Sequence, residues 1–69
     1  MKFRDIKVGE HFVTDNTCCI KTLPIQAGNG YVYPNGEYAN SIALCDSLAY
    51  RTGEEIYCDD DDVVGRIVY

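Results

Sequence analysis

Four cysteines, one histidine, a run of four aspartates and a cluster of tyrosines are the residues of this chain whose types could do chemistry. Cys18, Cys19, Cys45 and Cys58 offer thiols for a metal or a disulfide. They include no C-x-x-C pair, the spacing that zinc ribbons and thioredoxin-like sites use. Cys18 and Cys19 are adjacent, so on a strand they point to opposite faces and neither chelate together nor bridge one another. Free thiols packed as small hydrophobes are the reading this spacing favours. A zinc site of three cysteines and His11 is the minor alternative, since its spacing matches no common zinc motif.

Asp59, Asp60, Asp61 and Asp62 supply hard oxygen ligands of the kind Ca²⁺ and Mg²⁺ prefer. The EF-hand loop, however, requires Gly at its sixth position, and counting from Asp59 that position is Val64. The run reads better as a solvated turn, with Asp side chains accepting from local backbone N–H groups before a last strand. Protein contact is the functional alternative, because acidic runs often serve as interaction surfaces. His11 stands alone, with no Ser-His-Asp or Cys-His spacing to recruit it. Gly28 and Gly30 form neither a G-x-G-x-x-G nor a Walker pattern, which leaves a flexible loop. Tyr31, Tyr33 and Tyr38 flank the turn Pro34-Asn35-Gly36, and Tyr covers contact area at low entropic cost. They are the best candidate binding surface, with Asp59 to Asp62 beside them in that role.

Strands must position these groups. Six Val, six Ile and four Thr stand against three Leu and four Ala in 69 residues, a balance that favours strands over helices. Phe3 to Val8 is an opening segment, and Val8-Gly9-Glu10 turns into a strand over 10–14 with Phe12 inward. Asp15-Asn16 is a short turn. A second strand spans 17–23. Its alternation places Cys18, Ile20 and Thr22 on one face, and Lys21 marks Cys19 and Leu23 as the exposed set. Residues 24–39 form an irregular excursion or inserted hairpin. A third strand, 40–45, turns Ile42 and Leu44 inward. Thr52-Gly53 is a hairpin turn, 54–58 a further strand with Ile56 and Cys58 on one face, and 63–69 the last strand. The size and pattern predict a single all-β domain over 1–69.

Charge narrows the partners. The formal net charge is −5, and it is unevenly placed. Residues 1–36 carry four bases and three acids, whereas 37–69 carry Arg51 and Arg66 against eight acids. Such a field steers basic partners and repels polyanions, so direct nucleic-acid binding is not expected. No apolar run approaches the roughly 20 residues of a membrane span. The first residues, Met-Lys-Phe-Arg-Asp, do not resemble a secretory leader, so a reducing bacterial cytoplasm is the expected location.

From Phe3 to Phe12 the chain reads Phe-Arg-Asp-Ile-Lys-Val-Gly-Glu-His-Phe, similar to the opening of many small phage-encoded proteins. With Asn40-Ser41-Ile42-Ala43-Leu44, Thr52-Gly53-Glu54 and the acidic turn, the whole chain resembles an SH3-like barrel of about five antiparallel strands. In that likeness a short 3₁₀ turn precedes the last strand, at Asp59 to Asp62. The resemblance carries over no functional residues. It implies a phage or mobile-element context, where small acidic proteins often inhibit host defence systems. The expected function is a non-enzymatic acidic module that binds a basic surface on a host defence or nucleic-acid-processing protein, without a cofactor. The alternatives are a small-ligand or nucleotide-signal binder, with Arg51 or Arg66 meeting phosphates, and a virion accessory protein. Homo-oligomer formation stays open in each.

Overall fold

Apolar and polar residues alternate over short runs, and these build five strands: β1 (His11–Thr14), β2 (Thr17–Gln26), β3 (Tyr38–Ala43), β4 (Glu55–Ile56) and β5 (Gly65–Arg66). The computed structural model describes residues 1–26, 36 and 38–66. All strand pairs are antiparallel, in one open sheet of order β4-β3-β2-β1-β5. The first four strands form a meander, and β5 returns to the free side of β1. The all-β class expected from composition is what the chain adopts. Among the described residues β4 and β5 do not pair, so the sheet does not close on itself. The expected turn at Pro34-Asn35 and the expected strand beyond Arg66 lie outside the described residues.

Local chemistry sets the turns. Asp15 and Asn16 join β1 to β2 with φ of 49° and 58°. Positive φ at both central residues is what a two-residue turn matched to strand twist requires, and Asp and Asn tolerate it best after Gly. Gly9 and Gly53 take φ of 91° and 86° at their turns, values that a side chain would strain. β2 runs three residues past its predicted end and includes Pro24. Its pairing with β3 steps from Lys21↔Ser41 to Ile25↔Ala39, so Thr22, Leu23 and Pro24 face Asn40 alone. This bulge is where a residue without an N–H is tolerated in a paired strand.

Four turns, those of Gly9 and Gly53 among them, share one device. In Lys2–Asp5, Lys7–Glu10, Arg51–Glu54 and Asp59–Asp62 the last N–H donates to the first carbonyl, at 2.9 to 3.0 Å. The first N–H donates in return to the last residue's carboxylate, at 3.2, 2.7, 3.3 and 3.0 Å. A carboxylate three residues on thus satisfies an otherwise open donor. Part of the chain's acidity is therefore structural. The 3₁₀ helix falls in the first of these turns, at Phe3–Asp5, rather than before the last strand.

The core lies against one face of the sheet, where Phe3, Ile6, Phe12, Cys19, Ala43, Ile56, Cys58 and Val64 pack together. Phe3 and Phe12 meet edge to face with ring centroids 5.3 Å apart. The side-chain assignment of two strands is the reverse of the one that alternation and Lys21 predict. Cys19 is fully buried while Cys18 and Ile20 are half-buried. On β3, Ala39, Ser41 and Ala43 face inward, Ile42 is half-buried and Leu44 is exposed. The reason is volume. Phe3, from outside the strands, packs with Phe12 in one cluster with Cys19, Ala43 and Ile56, so in the rows Phe12-Cys19-Ala43 and Lys21-Ser41-Ile56 the positions of Cys19, Ser41 and Ala43 take small side chains. Lys21 belongs on that face because its Nζ sits 4.3 Å from the Phe3 ring centroid and donates to the Phe3 carbonyl at 3.1 Å. Its stem covers apolar surface while its charge stays at the rim.

Candidate functional site

The acidic run is built as a latch between the two ends of the described chain. Phe3 N–H donates to the Asp62 carbonyl at 2.8 Å, Arg4 N–H to the Asp60 carbonyl at 3.1 Å, and Val64 N–H to the Met1 carbonyl at 2.8 Å. Lys2 and Val63 form the bridge that accompanies them. All four aspartates are exposed. Asp61 pairs with both Lys2, at 3.6 Å, and Arg4. Asp59 accepts from Tyr57 Oη at 2.6 Å, and this pushes the phenol up to about 12. Asp62 closes the turn through the Asp59 N–H. Asp60 makes no side-chain hydrogen bond or ion pair among the described residues. The sequence reading of a capped turn before the last strand describes this geometry. It did not reveal Lys2 and Arg4 as the partners, because 57 residues separate Arg4 from Asp61.

Of the three tyrosines, Tyr31 and Tyr33 lie outside the described residues. Tyr38 opens β3 opposite Gln26 and is 46% exposed. Two residues on, Asn40 donates to the Cys58 carbonyl at 2.8 Å and accepts from the Cys58 N–H at 2.9 Å. Its amide thereby takes the place of a strand partner, which is why β4 ends at Ile56 rather than running through Cys58. Asp59 follows directly, so β3's Tyr38 end and the acidic turn occupy one end of the sheet.

A second feature, absent from the sequence reading, is the loop from Asp46 to Glu54. It borders an open hollow of about 320 Å³. Ser47 Oγ meets Thr17 Oγ1 at 2.6 Å and receives the Tyr50 N–H at 3.0 Å. Asp46 accepts the Thr52 N–H and hydroxyl at 2.8 and 2.9 Å, and these bonds hold its carboxyl below the usual range. Leu48 is fully exposed at this loop. Arg51 lines the hollow with Asp46 and Glu54, two carboxylates to one guanidinium, a balance that disfavours a phosphate. Arg66 is engaged at 3.0 Å by Glu10. The residues that line the hollow's wall come together only through the fold.

All four cysteines are free thiols. Burial pushes Cys19 up to about 11 and Cys58 up to about 12. Cys18 lies on the other side of the sheet, and Cys18 and Cys45 are both half-buried. His11 is half-buried on that same side, across from Ile20. Among the described residues no three His, Cys, Asp or Glu side chains are grouped to hold a metal ion. No helix among them is long and apolar enough to cross a membrane. No family model, curated protein or solved structure matches the chain.

Proposed function

We propose that this chain is a non-enzymatic protein-binding module that presents a fixed acidic end to a basic partner surface. The observation that carries this reading is the latch: four exposed carboxylates are held on a turn tied by backbone hydrogen bonds to residues 1–4. Fixed charges lose little freedom on docking, and they steer encounter with a basic surface. Exposed Tyr38 at the same end of the sheet adds an amphipathic ring of the kind interfaces favour. A basic groove on a host nucleic-acid-processing or defence protein is the partner surface that fits the charge and the phage-like sequence pattern. The hollow's two carboxylates weigh against a nucleotide ligand.

Asp60 is the residue to test, since its side chain closes no turn. The immobilised chain is exposed to bacterial host lysate in low and high salt, beside an Asp60→Lys variant. The expected result is a basic protein that is captured at low salt, released at high salt and lost in the variant. Equal capture by the variant at low salt would sink the electrostatic reading.

A further inference from the structure

Cys18 lies near the start of β2, on the face opposite the buried Cys19, and Cys45 lies two residues past the end of β3. The backbone brings the two together. Leu44 N–H donates to the Cys18 carbonyl at 2.7 Å, which extends the β2–β3 pairing by one residue. The Cys18 N–H in turn donates to Cys45 Sγ at 3.3 Å. The Cys45 sulfur is thus fixed against the Cys18 backbone, within the reach of the Cys18 side chain. Both residues are half-buried and so open to a small reagent. Cys19 and Cys58 are sealed in the core.

We propose that Cys18 and Cys45 form a reversible oxidation site, a dithiol that a low-molecular-weight disulfide converts to an intramolecular disulfide. The contact with Cys45 is the main cause that holds the Cys18 thiol above the ordinary range, and burial adds to it. Either thiol opens the exchange with the same products, here Cys45. Its thiolate attacks one sulfur of the added disulfide, forms a mixed disulfide and expels the first small thiolate, which takes up a proton. The Cys18 thiolate then attacks the Cys45 sulfur and expels the second small thiol. Two protein S–H groups and one small disulfide become one protein disulfide and two small thiols, a two-electron oxidation of the protein. The new bond ties the start of β2 to the first residue before the 46–54 loop. Because it closes a long loop of chain, it should raise Tm by on the order of 10 °C.

The probe is oxidised glutathione added to the intact, reduced chain, followed by trypsin and mass spectrometry. Cleavage after Lys7, Lys21 and Arg51 places Cys18 and Cys19 in 8–21, Cys45 in 22–51 and Cys58 beyond 51. The expected product is a monomer lighter by two hydrogens, with 8–21 joined to 22–51 and the link lost on reduction. The link persists in Cys19→Ser and disappears in Cys18→Ser. Should Cys19→Ser not fold, fragment-ion sequencing of the wild-type cross-linked peptide separates Cys18 from Cys19 without a variant. Mixed disulfides with no internal link, a link through Cys19 or Cys58, or a link between two copies would each overturn the assignment.

Discussion

The two faces of the sheet hold their thiols in opposite conditions. On the core face Cys19 and Cys58 pack with Phe3, Phe12 and Ile56, and burial is the main cause that pushes both thiols far up. On the other face Cys18 remains half-buried with His11, Ile20 and Ile42, and Cys45, just past β3, is half-buried too. The difference lies in what covers each face, since the strands are the same. The N-terminal segment folds over one side and delivers Phe3 and Ile6 to it, fixed there by backbone hydrogen bonds to Asp60 and Asp62. Adjacent cysteines on one strand thereby become a packing atom and a reagent-accessible thiol.

The largest expected effect tests this asymmetry directly. Phe12→Ala removes a fully buried ring and its edge-to-face contact with Phe3, so it should cost about 3–5 kcal/mol. Ile42→Ala, on the half-buried face, should cost about 1–2 kcal/mol, below the range for fully buried isoleucines. Urea unfolding of the two variants against wild type measures both. Equal losses would mean that the two faces are equally packed, and the contrast between the two cysteine pairs would lose its basis.

This contrast is also where the sequence is least legible. The presence of the strands, the Asp15-Asn16 and Gly53 turns and the inward Phe12 follow from local chemistry and are found, whereas bounds shift: β3 runs 38–43 rather than 40–45, and 24–26 and 38–39 are strand rather than irregular excursion. The inner face of β2 and β3 does not follow from it. Alternation rewards the larger apolar residues, Ile20, Ile42 and Leu44, with the core. The fold gives the core to Cys19, Ala39, Ser41 and Ala43, because Phe3 arrives from outside the strands and occupies the volume. Which face a distant ring will cover is a property of the tertiary path. The acidic turn was legible as a turn, whereas its ties to Lys2 and Arg4 depend on the same path.

Asn40 offers the next sharpest test, since it serves the core face from the opposite one. Its amide gives Cys58 both of its backbone partners and so holds that residue against the core beyond the end of β4. Asn40→Ala leaves a part-buried N–H and C=O open, an expected loss of about 1–3 kcal/mol. The variant should also let iodoacetamide reach Cys58 in the native state, read by mass spectrometry of the modified peptides. If Cys58 stays as protected as in wild type while stability falls, the amide holds the chain together without sealing the core.

The smallest effect concerns the rim, where Glu10 joins β5 to the turn ahead of β1. Its carboxylate accepts the Lys7 N–H at 2.7 Å and the Arg66 guanidinium at 3.0 Å. The bond from Lys7 is the main reason its pKa lies below the ordinary value of 4.5; partial desolvation works against it and Arg66 adds to it. A carboxylate whose folded pKa is depressed contributes stability that is present above the unfolded value and is lost as pH falls through the folded one. Wild type should therefore lose part of its stability as pH drops below 4.5. Glu10→Gln has no charge to lose at this position. Its urea midpoint should lie below wild type at neutral pH and converge with it in acid, by an amount that salt reduces because the site is exposed. Parallel acid profiles for the two proteins would move the pH dependence elsewhere, first to Asp46, whose carboxyl Thr52 holds low at the far end of the molecule.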